Sequence, residues 1–115
     1  MPVFREKNVV VAEKRFGGRG SVILEHVLDE TLYEGLVPTY IKATLKSGCS
    51  LGLHQHNGNS EAYYILSGKG IYNDNGVLTE VEAGDTTFTA DGESHGLENA
   101  GSEDLVFMAL VVSAR

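Results

Sequence analysis

Hydrophobic positions along this chain recur with a period of two rather than 3.6. Tyr40, Lys42, Thr44 and Lys46 alternate with Ile41, Ala43 and Leu45, the pattern of a strand with one wet face and one buried face. Ile41 and Leu45 are therefore expected in the core. Residues 9–12 and 21–28 are further strand-like runs, and residues 1–7 read as a loose or edge segment. Between them, Phe16-Gly17-Gly18-Arg19-Gly20 breaks the pattern. A glycine-rich segment can cradle phosphate where it leads from a strand into a helix. This one leads into another strand, so it reads as a turn. Residues 29–35 are the only candidate helix, a single turn with Asp29 as N-cap and Gly35 as terminator.

The alternation continues towards the C-terminus. Residues 69–73 and 77–81 flank Asp74-Asn75-Gly76, where Asn-Gly supplies the positive backbone angles of a tight hairpin. Residues 86–90 read as a strand, Asp91-Gly92 as a turn that delivers His95, and residues 99–104 as a loop. Residues 105–112 are apolar throughout. That run suits a strand buried on both faces, beside the barrel interior or a subunit interface. About nine short runs separated by glycine-bearing turns predict an all-β fold, a sandwich or small barrel.

Composition narrows the partners. A chain of 115 residues is expected to form a single domain spanning residues 1–115. Its net charge of −7 and lack of a basic run argue against nucleic acid or an anionic membrane as the main partner. No apolar run approaches the roughly 20 residues of a membrane span. The single cysteine, Cys49, cannot close an internal disulfide, and no charged-then-apolar leader opens the chain. A reducing cytoplasm is the expected location. Cys49 has no base near it in sequence and reads as a small buried hydrophobe.

The chemistry-bearing stretch is residues 48–68. His54 and His56 are one residue apart, so on an extended strand both imidazoles leave the same face. Asn57-Gly58-Asn59-Ser60 follows, and Glu61 then opens a second apolar run. This reads as a hairpin that returns a carboxylate to the level of the histidines. If Glu61 faces inward, so do Tyr63 and Ile65. A His-x-His pair alone is as compatible with a surface pair or a core feature as with a metal.

The spacing of this stretch resembles the first motif of the cupin superfamily: Gly, five residues, His-x-His, four residues, Glu, six residues, Gly. Here these are Gly48, His54, His56, Glu61 and Gly68. Residues 84–99 resemble the second motif, with Gly84, Gly92, His95 and Asn99 at the expected spacing. One departure is Ala90, where the family usually has Pro; that position stiffens the turn and is not a ligand. The resemblance implies a double-stranded β-helix, or jelly roll, and a metal held by His54, His56, Glu61 and His95. It also implies a homodimer, with strands from residues 1–35 reaching a neighbouring subunit; residues 9–12 and 21–28 are the candidates for that exchange.

Three imidazoles and one carboxylate leave about two positions of a six-coordinate divalent ion open. Manganese or iron is the first expectation, with zinc, nickel or copper compatible with the same donors. Tyr63, Phe88 and Ile41 are the candidates for contacts to a small-molecule substrate, against a plain core-packing role. Tyr63, Glu93 and Lys42 are the candidate acids or bases. His26, outside both motifs, reads as a hydrogen-bonded or interface residue. The chain is similar to small single-domain bacterial cupins grouped with oxalate decarboxylase. That resemblance implies an enzyme acting on a small carboxylate or other oxygen-rich metabolite, of decarboxylase or dioxygenase type. A metal-dependent sugar or sugar-acid isomerase or epimerase, and a non-catalytic ligand-binding module, are the alternatives.

Overall fold

The computed structural model describes residues 3–28 and 30–114. Ten strands form, β1 (Asn8–Glu13), β2 (Ser21–His26), β3 (Thr39–Leu45), β4 (Ser50–Gln55), β5 (Asn59–Ser67), β6 (Lys69–Asp74), β7 (Val77–Glu82), β8 (Thr86–Thr89), β9 (Ser94–Glu98) and β10 (Leu105–Ser113). The strand that pattern reading misses is β9, whose five residues include His95 and Gly96 and carry too few apolar positions to announce themselves. No α-helix occurs among the described residues. The expected helical turn is a short 3-10 turn, Glu30–Tyr33, and Asp29, its expected cap, lies outside the described residues.

Two antiparallel sheets face each other in the order β1-β2-β3-β10-β5-β8 and β4-β9-β6-β7, which is the jelly-roll arrangement. The β6–β7 hairpin forms as expected. Asp74 pairs with Val77, and the two residues between them, Asn75 and Gly76, both have positive φ. The link between β4 and β5 is different. These strands do not pair: β4 joins β9, whereas β5 lies between β10 and β8. The expected hairpin is therefore an arch that carries the chain from one sheet to the other.

Core side chains come from alternate positions of both sheets. Leu45, Ile65, Leu97, Leu105 and Phe107 are almost wholly shielded from solvent. Strand β10 buries Leu105, Phe107, Ala109 and Val111, but Leu110 and Val112 are 38% and 41% exposed. The expectation of a strand buried on both faces is thus corrected. Only one sheet packs against it within the chain, and its outer apolar residues continue a row that runs Tyr40, Leu110, Ala62, Phe88 across four strands.

Candidate metal centre

Strand β4 carries His54 and ends one residue before His56. Its pairing with β9 shifts register between Leu51 and His54, so the strand bulges at Gly52-Leu53 and both Leu51 and His54 turn inward. His56 follows at period two. Across the same sheet His54 is the pairing partner of His95. Glu61 arrives from the opposite sheet over the arch, and the four residues place one donor atom each within 4.8 Å of one another.

Hydrogen bonds orient each ring. His54 Nδ1 donates to the Gly52 carbonyl at 2.8 Å, which can only accept, so Nε2 carries the lone pair. His56 Nδ1 donates to Asn59 Oδ1 at 2.6 Å. His95 Nδ1 lies 2.8 Å from Thr89 Oγ1 and 3.0 Å from the Tyr72 hydroxyl. The inward nitrogens are therefore all Nε2. His56 Nε2 and His95 Nε2 are 3.0 Å apart, and Glu61 Oε1 is 3.1 and 2.9 Å from them. Donors bonded to one ion at about 2.1 Å and at right angles stand about 3.0 Å apart. The spacing of these three donors and the nitrogen and carboxylate character of all four fit a divalent cation. Without one, the His54 and His56 lone pairs would face the Glu61 carboxylate in a site where Glu61, His56 and His95 are almost wholly shielded from solvent.

Burial, opposed by the bond to Gly52, lowers the His54 pKa below the usual imidazole value, and the neighbouring His95 and His56 rings lower it further. Burial also pushes the Tyr63 phenol well above the usual range, helped by the Glu61 carboxylate. Tyr63 thus holds its proton, 3.4 Å from His95 Nε2.

The cluster opens into a cavity of about 380 Å³. Tyr63 and Ile41 line it, with Leu24, Phe107 and Val111 forming apolar wall. Phe88 does not line it. It is 63% exposed, because Thr87 and Thr89 pair with Tyr63 and Glu61 and take the inward phase of β8; its expected substrate role is corrected. Lys42 also faces outward, opposite Met108. Glu93 is occupied elsewhere, accepting from the Ala90 amide and the Asn75 side chain. His26 stands apart from the cluster. Cys49 is partly buried against the core.

Sequence reading missed the residues that orient the rings, Asn59, Tyr72 and Thr89, and two more at the mouth, Arg15 and Phe16. The Phe16 ring stacks on His54 with centroids 3.6 Å apart and planes at 14°. Residues 16–20 read as a turn, and only their glycines hinted at a close backbone approach.

The model of the cupin domain matches residues 42–112. This chain belongs to the cupin family. The cupin is 42% identical over 96 residues to the oxalate-binding protein of Thermotoga maritima, a match covering 84% of this chain and 79% of that one. Its fold superposes with a TM-score of 0.93 on the crystal structure of a predicted oxalate decarboxylase from Thermotoga maritima, at 37% identity over 97% of this chain and 99% of the other. The cupin domain of Schizosaccharomyces pombe Cnp3 shares the fold at a TM-score of 0.73, with 11% identity over 96% of this chain and 89% of that one. Among the described residues no helix is long and apolar enough to cross a membrane.

Proposed function

We propose that this cupin holds one divalent cation through His54, His56, Glu61 and His95 and acts on a small carboxylate, as an enzyme of decarboxylase or dioxygenase type. The observation that carries the reading is the convergence of three Nε2 atoms and a carboxylate on a cavity walled by both apolar and polar side chains. Manganese and iron are the favoured ions. A bound cation would supply fixed positive charge for a carboxylate and polarise its carbon–oxygen bonds. The chain's own residues do the rest. The apolar part of the wall, Leu24, Ile41, Phe107 and Val111, limits water around the cluster, while Arg15, Thr39, Gln55 and Asn57 offer polar partners to a small ligand. Tyr63, buried and protonated, places its hydroxyl 3.4 Å from His95 Nε2 and is the candidate donor facing the cluster.

Support for the substrate class comes from the oxalate-binding relative. Two copies of the chain pair, in this reading, through the outer apolar row and the exposed valines of the β1 edge. The test is elemental analysis of protein purified without chelator or nickel resin, followed by calorimetric titration with oxalate and assays of carbon dioxide release and oxygen uptake. Stoichiometric metal and saturable oxalate binding support the reading. A metal-free protein that takes up no divalent ion would end it, and binding without turnover would make the protein a ligand-binding module.

A further inference from the structure

The connection between β1 and β2 adopts a conformation its residues do not favour. Lys14 and Phe16, neither of them glycine, have φ of 48° and 55°, in the left-handed region that side chains disfavour. Something must hold them there. Lys14 N–H donates to Gly20 O at 2.8 Å, and Ser50 N–H donates to Arg19 O at 2.8 Å. Arg19 N–H returns a bond to Ser50 Oγ at 2.9 Å, and its side chain pairs with Glu98. Backbone meets backbone where Gly18 lies on β4. A Cβ at Gly52 would collide with the Phe16 carbonyl, and one at Gly18 with that of Ser50. Strain and a two-glycine contact together determine where this loop ends.

It ends at the mouth of the cavity. Phe16 lies flat on His54, and the Arg15 guanidinium carbon is 4.8 Å from the Phe16 ring centroid. Arg15 is the one Lys or Arg among the described residues that line this cavity. Although the chain has 16 acidic residues against 9 basic ones, Arg15 makes no ion pair among the described residues, whereas Arg19 does. The Arg15 side chain's contact among these is the Phe16 ring face, which leaves its guanidinium N–H groups for a ligand.

We infer that Arg15 is a specificity-determining residue that takes the far carboxylate of a small dicarboxylate whose near carboxylate sits at the four-donor cluster. This rests on the small-carboxylate reading above. A guanidinium fork bonds a carboxylate through two parallel hydrogen bonds. Phe16, stacked on His54, carries the neighbouring guanidinium on the wall of the same cavity as the cluster. A monocarboxylate reaches the cluster alone and forgoes the second contact, so the site separates dianions from monoanions of the same size.

The experiment titrates the full chain, loaded with Mn²⁺, with oxalate and with glyoxylate, which replaces one carboxylate by an aldehyde. Arg15→Gln weakens oxalate binding about 10- to 100-fold and leaves glyoxylate within about threefold. Lys14→Gln, which removes an equal charge one residue away, changes neither. Arg15→Lys keeps the charge without the fork and recovers only part of the oxalate affinity; it also carries the test should the Gln variant melt early. Equal losses for both ligands, or the same loss in Lys14→Gln, would reduce Arg15 to general charge and overturn the assignment. Unchanged oxalate binding in Arg15→Gln would overturn it too, with the small-carboxylate reading intact. A native protein that loads Mn²⁺ yet binds neither ligand sinks that reading, and this inference with it.

Discussion

His54, His56 and His95 each commit Nδ1 to a different kind of partner: a backbone carbonyl, a side-chain amide and a pair of hydroxyls. Only the second and third can be removed by mutation. Asn59→Ala leaves His56 free to rotate or change tautomer, and metal affinity is expected to fall about 10- to 100-fold, read by competition with a fluorescent chelator. Replacing any of the three rings by Ala should abolish stoichiometric metal, while His26→Ala keeps it. Equal metal content in all four proteins would refute the ligand assignment. Not every motif residue serves the metal. Asn99 is fully buried, donates to the carbonyls of Leu45 and Glu103 and accepts from Gly101 N–H. Asn99→Ala should therefore cost about 2–4 kcal/mol in urea unfolding without altering the metal-binding groups.

Among the elements, those decided by local chemistry were legible and those decided by which sheet a strand joins were not. Asn75-Gly76 specifies its own turn, and the β6–β7 hairpin is where sequence puts it. Asn57-Gly58-Asn59-Ser60 looks equally turn-like, yet it bridges two sheets. The choice is made by long-range packing that no window of ten residues contains. His54, His56 and Glu61 were legible as a set despite this, because period two puts both histidines on one face and their spacing to Glu61 matches the first cupin motif. Arg15 and Phe16 were not, since their place depends on a contact with Gly52 far along the chain. The loop before β9 shows a third case. Ala90, where proline is usual, offers an N–H that proline lacks, and Glu93 Oε1 accepts it at 2.8 Å. Glu93 Oε2 and the Ser94 amide are in turn tied to Asn75. Stiffness that a ring would provide comes here from hydrogen bonds. Glu93→Ala should cost about 1 kcal/mol and lower the melting temperature by a few degrees, without releasing metal.

For the molecule as a whole, stability is shared between the packed interior and the donor cluster. Phe107 is 1% exposed and touches Tyr63, with ring centroids 4.7 Å apart. Phe107→Ala should destabilise the fold by about 3–5 kcal/mol, measured by denaturant unfolding of the metal-free protein. A cation that binds only the folded chain adds about 2.7 kcal/mol at a free concentration of 100 Kd, so chelation should lower the melting temperature. The outer apolar row gives a separate test of pairing: Leu110→Asp should convert the dimer expected in light scattering to monomer. A native protein that is already monomeric would remove the proposed contact between copies.

The arch from β4 to β5 has a mechanical consequence. Since His54 lies on β4 with His56 just past its end, His95 on β9 of the same sheet and Glu61 on β5 of the other, a coordinated ion would act as a rivet through both layers of the sandwich. With one cysteine in the chain, no intrachain covalent cross-link can do that job. The layers would then be free to slip or breathe at the open end once the rivet is drawn, while the packed end around Leu45 and Leu105 stays shut.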